Sequence, residues 1–180
     1  MQKNINKVNA KKSELPLYFL LPLICILVLD QITKLAVIHF IPFGKSGAEI
    51  PVVDGFFYLV HVTNAGAAWG ILDGKTYLLS SIAILTLAAL WLFRHELGLR
   101  NKKMQFALGL FAGGVLGNLI DRVLYGHVVD FLDVYLPLIN YRWPAFNIAD
   151  CGISIGVTLY IIFTLFCSEN CDSKPVESKQ

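Results

Sequence analysis

Two aspartates, Asp130 in GHVVDF and Asp150 in FNIAD, stand with no lysine or arginine within four positions of either. A carboxyl group in apolar company without a cationic neighbour is poorly solvated, which favours its neutral form. Two such groups brought together do not both ionise easily and tend to share one proton. One then takes a proton from water while its protonated partner polarises a carbonyl, the dyad chemistry of aspartic peptidases.

Four other charged residues lie in or at the ends of apolar stretches. Asp30 and Lys34 are spaced i,i+4, at which opposite charges on a helix meet. They are expected either to pair locally or to contact polar parts of a substrate. Asp121 and Arg122 are adjacent, and an arginine beside Asp121 would hold it ionised and make it a poor general acid, so this pair is assigned to scaffolding. Asn147 precedes Asp150 by three residues and suits both a helix cap and a hydrogen-bond donor to substrate backbone. The stretch TNAGAAWG, residues 63–70, reads as a turn of small residues or as a substrate-holding loop with Asn64 and Gly66 at its centre. Asp54, Asp73 and Asp133 read as ordinary loop charges. The four histidines show no metal-ligand spacing. The four cysteines form no CxxC pair and read as small buried hydrophobes. Neither a metal nor a cofactor is expected.

The elements that must position these groups follow from composition. Of 180 residues, 56% are hydrophobic and 16% charged, against about 45–50% and about 25% in soluble domains. Apolar runs at about 15–41, 77–93, 104–124 and 148–167 each approach the roughly 20 residues a helix needs to cross a bilayer. The expectation is an all-α membrane protein of four transmembrane helices with a small extracytoplasmic β-rich region. A basic tail (1–14) and a polar tail (168–180) flank a single domain (15–167), with outer loops at 42–76 and 125–147. Residues 51–63 and the stretch after Gly126 carry the Val, Phe and Tyr of strands. Gly109, Gly113 and Gly117 recur every four residues, a stripe where another helix can approach closely. Lysines crowd the N-terminal tail, and Arg94, Arg100, Lys102 and Lys103 the middle loop, which places both on the cytoplasmic side. A net charge of +2 without a basic, aromatic-interleaved run argues against nucleic acid.

Taken in order, LDQITK, VTNAGAAWG, GGVLGNLIDR, GHVVDFLD and FNIADCGISIG resemble the bacterial lipoprotein signal peptidase family, also called signal peptidase II, over about Leu15–Phe166. The resemblance implies an aspartic endopeptidase of the bacterial inner membrane. Such an enzyme removes signal peptides from prolipoproteins just before the diacylglyceryl-modified cysteine, at the outer face. It implies that Asp130 and Asp150 are catalytic, and that Asp30, Lys34, Asn64, Gly66, Asn118, Asp121, Arg122 and Asn147 bind substrate or support the site. Its partners would be lipidated precursors and membrane lipid, the protein acting as a monomer. A small proton- or ion-coupled transporter is the alternative, disfavoured by the small helix count and the lack of an internal repeat.

Overall fold

The computed structural model describes residues 17–44, 49–67 and 71–169. Most of the tails expected at 1–14 and 168–180, together with Lys45, Ala68, Trp69 and Gly70, lies outside the described residues. Each of the four apolar runs contains a helix: α1 (Leu17–Phe40), α2 (Thr76–Leu92), α3 (Lys102–Tyr125) and α4 (Ile148–Glu169). At 1.5 Å per residue the 24 residues of α1 and of α3 reach about 36 Å, and the 17 of α2 about 26 Å. By length and composition α1, α3 and α4 suffice to cross a membrane, and α2 is a shorter apolar helix. Local chemistry sets the ends of α3. The Asn101 side chain accepts from Lys103 N–H at 2.9 Å, and Gly126 ends the helix at φ 77°, a left-handed position that suits glycine.

Among the described residues four strands accompany the helices: β1 (Ile50–Val53), β2 (Phe57–Asn64), β3 (Val128–Leu136) and β4 (Tyr141–Arg142). They form one antiparallel sheet in the order β1-β2-β3-β4. The all-α label is therefore too narrow. Antiparallel pairing gives the β-branched and aromatic residues of the outer loops a backbone partner that isolated loops would lack. Each helix meets the sheet region by one end: α1 and α3 by their C-termini, α2 and α4 by their N-termini. The turn joining α2 to α3, with Arg94 and Arg100, thus lies at the opposite end of the bundle. Val129 and Phe131 of β3 pack with Val37 of α1 and Ile41 just after it, which fixes the height at which β3 presents Asp130.

α3 is the central helix, packed against both α1 and α4. The glycine stripe explains how closely. A Cβ on Gly113 would stand 2.6 Å from the carbonyl oxygen of Leu23 in α1, Gly109 meets Phe19 and Pro22, and Gly117 meets Asp30. Gly114 faces α4 instead, against the Ala149 carbonyl. Because backbone cannot give way as a flexible side chain can, Gly113→Ala is expected to lower stability by about 1–3 kcal/mol, read as an earlier thermal transition in detergent.

Candidate active site

The buried acids divide into two sets. In the first, Lys34 of α1 lies between Asp30 and Asp121, its ammonium 2.8 Å from a carboxylate oxygen of each. All three side chains are almost wholly buried. The i,i+4 pair is thus joined by a third member from α3. Asp121 was expected to pair with Arg122; it turns to Lys34 instead, because successive helical residues point about 100° apart. Each carboxylate also holds backbone beside a candidate catalytic aspartate. Asp30 Oδ1 accepts from Ala149 N–H at 2.9 Å, one residue before Asp150. Asp121 Oδ2 accepts from Val129 N–H at 3.2 Å, one residue before Asp130. Gln31, passed over in the sequence, donates to both Asp30 and Asp121 at 3.1 Å. The signal for it was a polar side chain inside an apolar run, three positions before Lys34.

In the second set every carboxylate oxygen receives a neutral amide. Asp130 Oδ1 accepts from Asn147 Nδ2 at 2.7 Å, and Asp130 Oδ2 from Asn64 Nδ2 at 3.0 Å. Asp150 Oδ1 accepts from Asn118 Nδ2 at 2.8 Å, and Asp150 Oδ2 from the backbone N–H of Asn147 at 3.2 Å. Asn147 is the helix cap expected of it, and its amide is turned to Asp130. Its side-chain oxygen caps α4 by accepting from Asp150 N–H at 3.0 Å, while its amide nitrogen reaches Asp130. The three asparagines are themselves oriented. Asn118 Oδ1 accepts from Lys34 Nζ at 3.1 Å, and Asn64 Oδ1 accepts from Gly66 N–H at 2.9 Å. Arg122 pins the loop after β2 by donating to the Gly66 carbonyl at 3.1 Å.

Neutral donors leave the two carboxyls free to retain a proton. Burial, reinforced by the nearby charge of Asp150, raises the Asp130 pKa to about 7, against the opposing hydrogen bonds of Asn64 and Asn147. Both aspartates open on a cleft of about 730 Å³ whose apolar walls include Leu79 and Ile82 of α2, Phe111 and Val115 of α3, and Ile153 of α4. Among the described residues no group of His, Cys, Asp and Glu is placed to hold a metal ion. Chemically the arrangement suits activation of water by a carboxyl pair that holds one proton. All ten sequence-predicted residues join this one network. One reading is corrected: Asp133 is no ordinary loop charge but a buried carboxylate 2.8 Å from Arg142 of β4. Its partner is nine positions away and comes near only because β3 and β4 pair, so sequence spacing gave no sign of it.

A family model described as signal peptidase (SPase) II matches residues 23–166. The chain is 39% identical over 148 residues to a lipoprotein signal peptidase of Anoxybacillus flavithermus, an alignment covering 82% of this chain and 84% of that one. It is 43% identical over 141 residues to one of Ralstonia nicotianae, covering 76% and 77%. A bacterial membrane enzyme solved by the in meso method at 2.3 Å resolution superposes with a TM-score of 0.76 at 39% identity, covering 87% of this chain and 93% of that one. Long apolar helices together with this structural neighbour make the protein a multi-pass membrane protein. Sequence, helices and sheet agree that the chain belongs to the signal peptidase II family.

Proposed function

We propose that the protein is a membrane-embedded aspartic endopeptidase in which Asp130 and Asp150 form the catalytic dyad. It cuts prolipoproteins at the peptide bond preceding the diacylglyceryl-modified cysteine. The observation that carries this reading is the contrast between the two carboxylate sets: a buried lysine is ion-paired to both Asp30 and Asp121, whereas amide N–H groups alone donate to Asp130 and Asp150. One dyad carboxylate takes a proton from water as the water oxygen attacks the scissile carbonyl. The protonated partner donates to that carbonyl oxygen as it gains negative charge. Collapse of the tetrahedral intermediate breaks the C–N bond and a dyad proton passes to the leaving nitrogen. The products are a signal-peptide carboxylate and the free α-amine of the lipidated cysteine, with no acyl-enzyme.

The sheet end of the bundle is the outer face of the bacterial inner membrane, and both termini are cytoplasmic. Arg94 and Arg100 of the α2–α3 turn, with Lys102 and Lys103 at the start of α3, lie at the cytoplasmic end, as charge bias requires. α2 is the fourth span, its shortness met by tilt of its neighbours or local thinning of the bilayer. The apolar cleft walls receive acyl chains and the signal helix, so that binding energy remote from the reacting bond positions it. The enzyme works as a monomer on membrane substrates, without nucleic acid. Nothing in the site favours transport over hydrolysis.

The pH profile tests the shared proton. Activity should fall as pH rises past about 7, where Asp130 loses its proton, and should fall again at low pH once both carboxyls are protonated. The two limbs belong to the pair rather than to either residue. Initial rates on a lipidated precursor from pH 4 to 9 check this, and a flat curve contradicts it.

A further inference from the structure

A second cavity, of about 450 Å³, adjoins the catalytic cleft, and Trp143, Pro144 and Ala145 line both. One short strap of chain therefore separates the two spaces. Around the second stand Glu49, His61, Asp133 and Arg142, none of which takes part in the chemistry above. Asp133 is only 3% exposed, yet its Oδ2 accepts no hydrogen bond. Arg142 Nη1 is 2.8 Å from that oxygen but not directed at it. The guanidinium is turned to Glu49, donating to its two oxygens at 3.2 and 3.3 Å. A carboxylate offers about four lone-pair sites, so Asp133 retains acceptor capacity that buried groups ordinarily satisfy. Two carboxylates against one guanidinium leave this cluster with a net negative charge. His61 adds no acceptor through Nδ1, which lies 2.9 Å from the Ile41 carbonyl and donates to it. Burial raises the Asp133 pKa against the pull of Arg142, and an incoming cation or donor would relieve that desolvation.

We propose that this cavity receives the mature side of the precursor, the extended residues following the lipidated cysteine, and that Asp133 and Glu49 select there for a basic side chain over an acidic one. The inference rests on reading the adjoining cleft as the cleavage site. Asp130 and Asp133 are three residues apart on β3, about 10 Å along the strand. This odd separation puts their side chains on opposite faces, so an extended substrate passing over the strap needs at least about three residues to reach from one to the other. The selected side chain is accordingly one of the third to fifth after the scissile bond, reached by a chain that leaves the cleft across the strap.

The test uses purified full-length protein in phospholipid-free detergent and diacylglyceryl-modified precursors that differ only in carrying Lys or Asp at each of these positions. At one position kcat/KM should favour Lys by about tenfold, the size of one charge-assisted contact. The ratio should fall to near one in Asp133→Asn and below one in Glu49→Lys. Since Glu49 is half-exposed, the second variant decides the matter even if the first does not fold. A ratio that survives Glu49→Lys unchanged overturns the proposal. So does a wild-type ratio near one at all three positions, which would leave the cavity to another donor such as a lipid ammonium headgroup while the cleavage reading stands. No cleavage of any precursor would overturn the reading of the cleft, and this inference with it.

Discussion

Asp130→Asn and Asp150→Asn are each expected to reduce turnover of a lipidated precursor by about a thousandfold, with the double variant little worse than either alone. General acid–base catalysis contributes about 10²–10⁴-fold, and residues that act as one unit lose their effect together rather than additively. Asparagine keeps the size of the side chain but holds no proton for transfer. Stability should move the other way. The Asp130 carboxyl titrates near 7 when folded, against an ordinary value of 3.8. Between those values the folded state therefore binds more protons than the unfolded chain, so wild-type stability falls as pH rises from about 4 to about 7. Asp130→Asn lacks that dependence and should gain on wild type by up to about 4 kcal/mol across the window, less whatever share of the proton Asp150 takes. Melting curves at pH 5 and pH 8 read this difference, and a variant that lost activity without it would point to misfolding rather than to a missing proton.

Lys34→Met is the second large effect. It leaves two buried carboxylates without the ammonium that sits 2.8 Å from each, and removing one partner from a buried ion group costs about 3–5 kcal/mol. Replacing Asp30 and Asp121 with Asn in the same chain should restore most of that stability, since no uncompensated charge then remains. Activity should not return to the same extent. Lys34 also orients Asn118, which donates to Asp150. Asp30 and Asp121 hold the backbone next to Asp150 and Asp130. The triple variant is thus expected to be folded, with kcat reduced about 10–100-fold and KM less affected. Thermal melts alongside steady-state kinetics separate the two outcomes, and full recovery of kcat would show the lysine to be scaffold alone.

What the sequence made legible was what short-range chemistry decides. Apolar runs long enough for a bilayer marked the helices, and the i,i+4 spacing of Asp30 and Lys34 marked their contact. The absence of nearby cations separated Asp130 and Asp150 from Asp30 and Asp121, the other acids of the apolar stretches. The illegible part depends on pairing between distant segments. Asp121 reaches α1 rather than Arg122 because α1 and α3 approach along glycines. Asp133 is buried because β4 folds back onto β3 and brings Arg142 beside it. The donors on the dyad come from β2, α3 and the residue before α4. No spacing rule connects those elements, although their asparagines were visible individually.

Cleavage by the purified protein of two matched precursors, one diacylglyceryl-modified at its cysteine and one unmodified, with products identified by mass, tests the central claim most directly. The expected result is a single cut before the cysteine in the modified precursor, the lipid remaining on the mature fragment, and little cutting of the unmodified one. Equal cutting of both, or a cut at another bond, would contradict it.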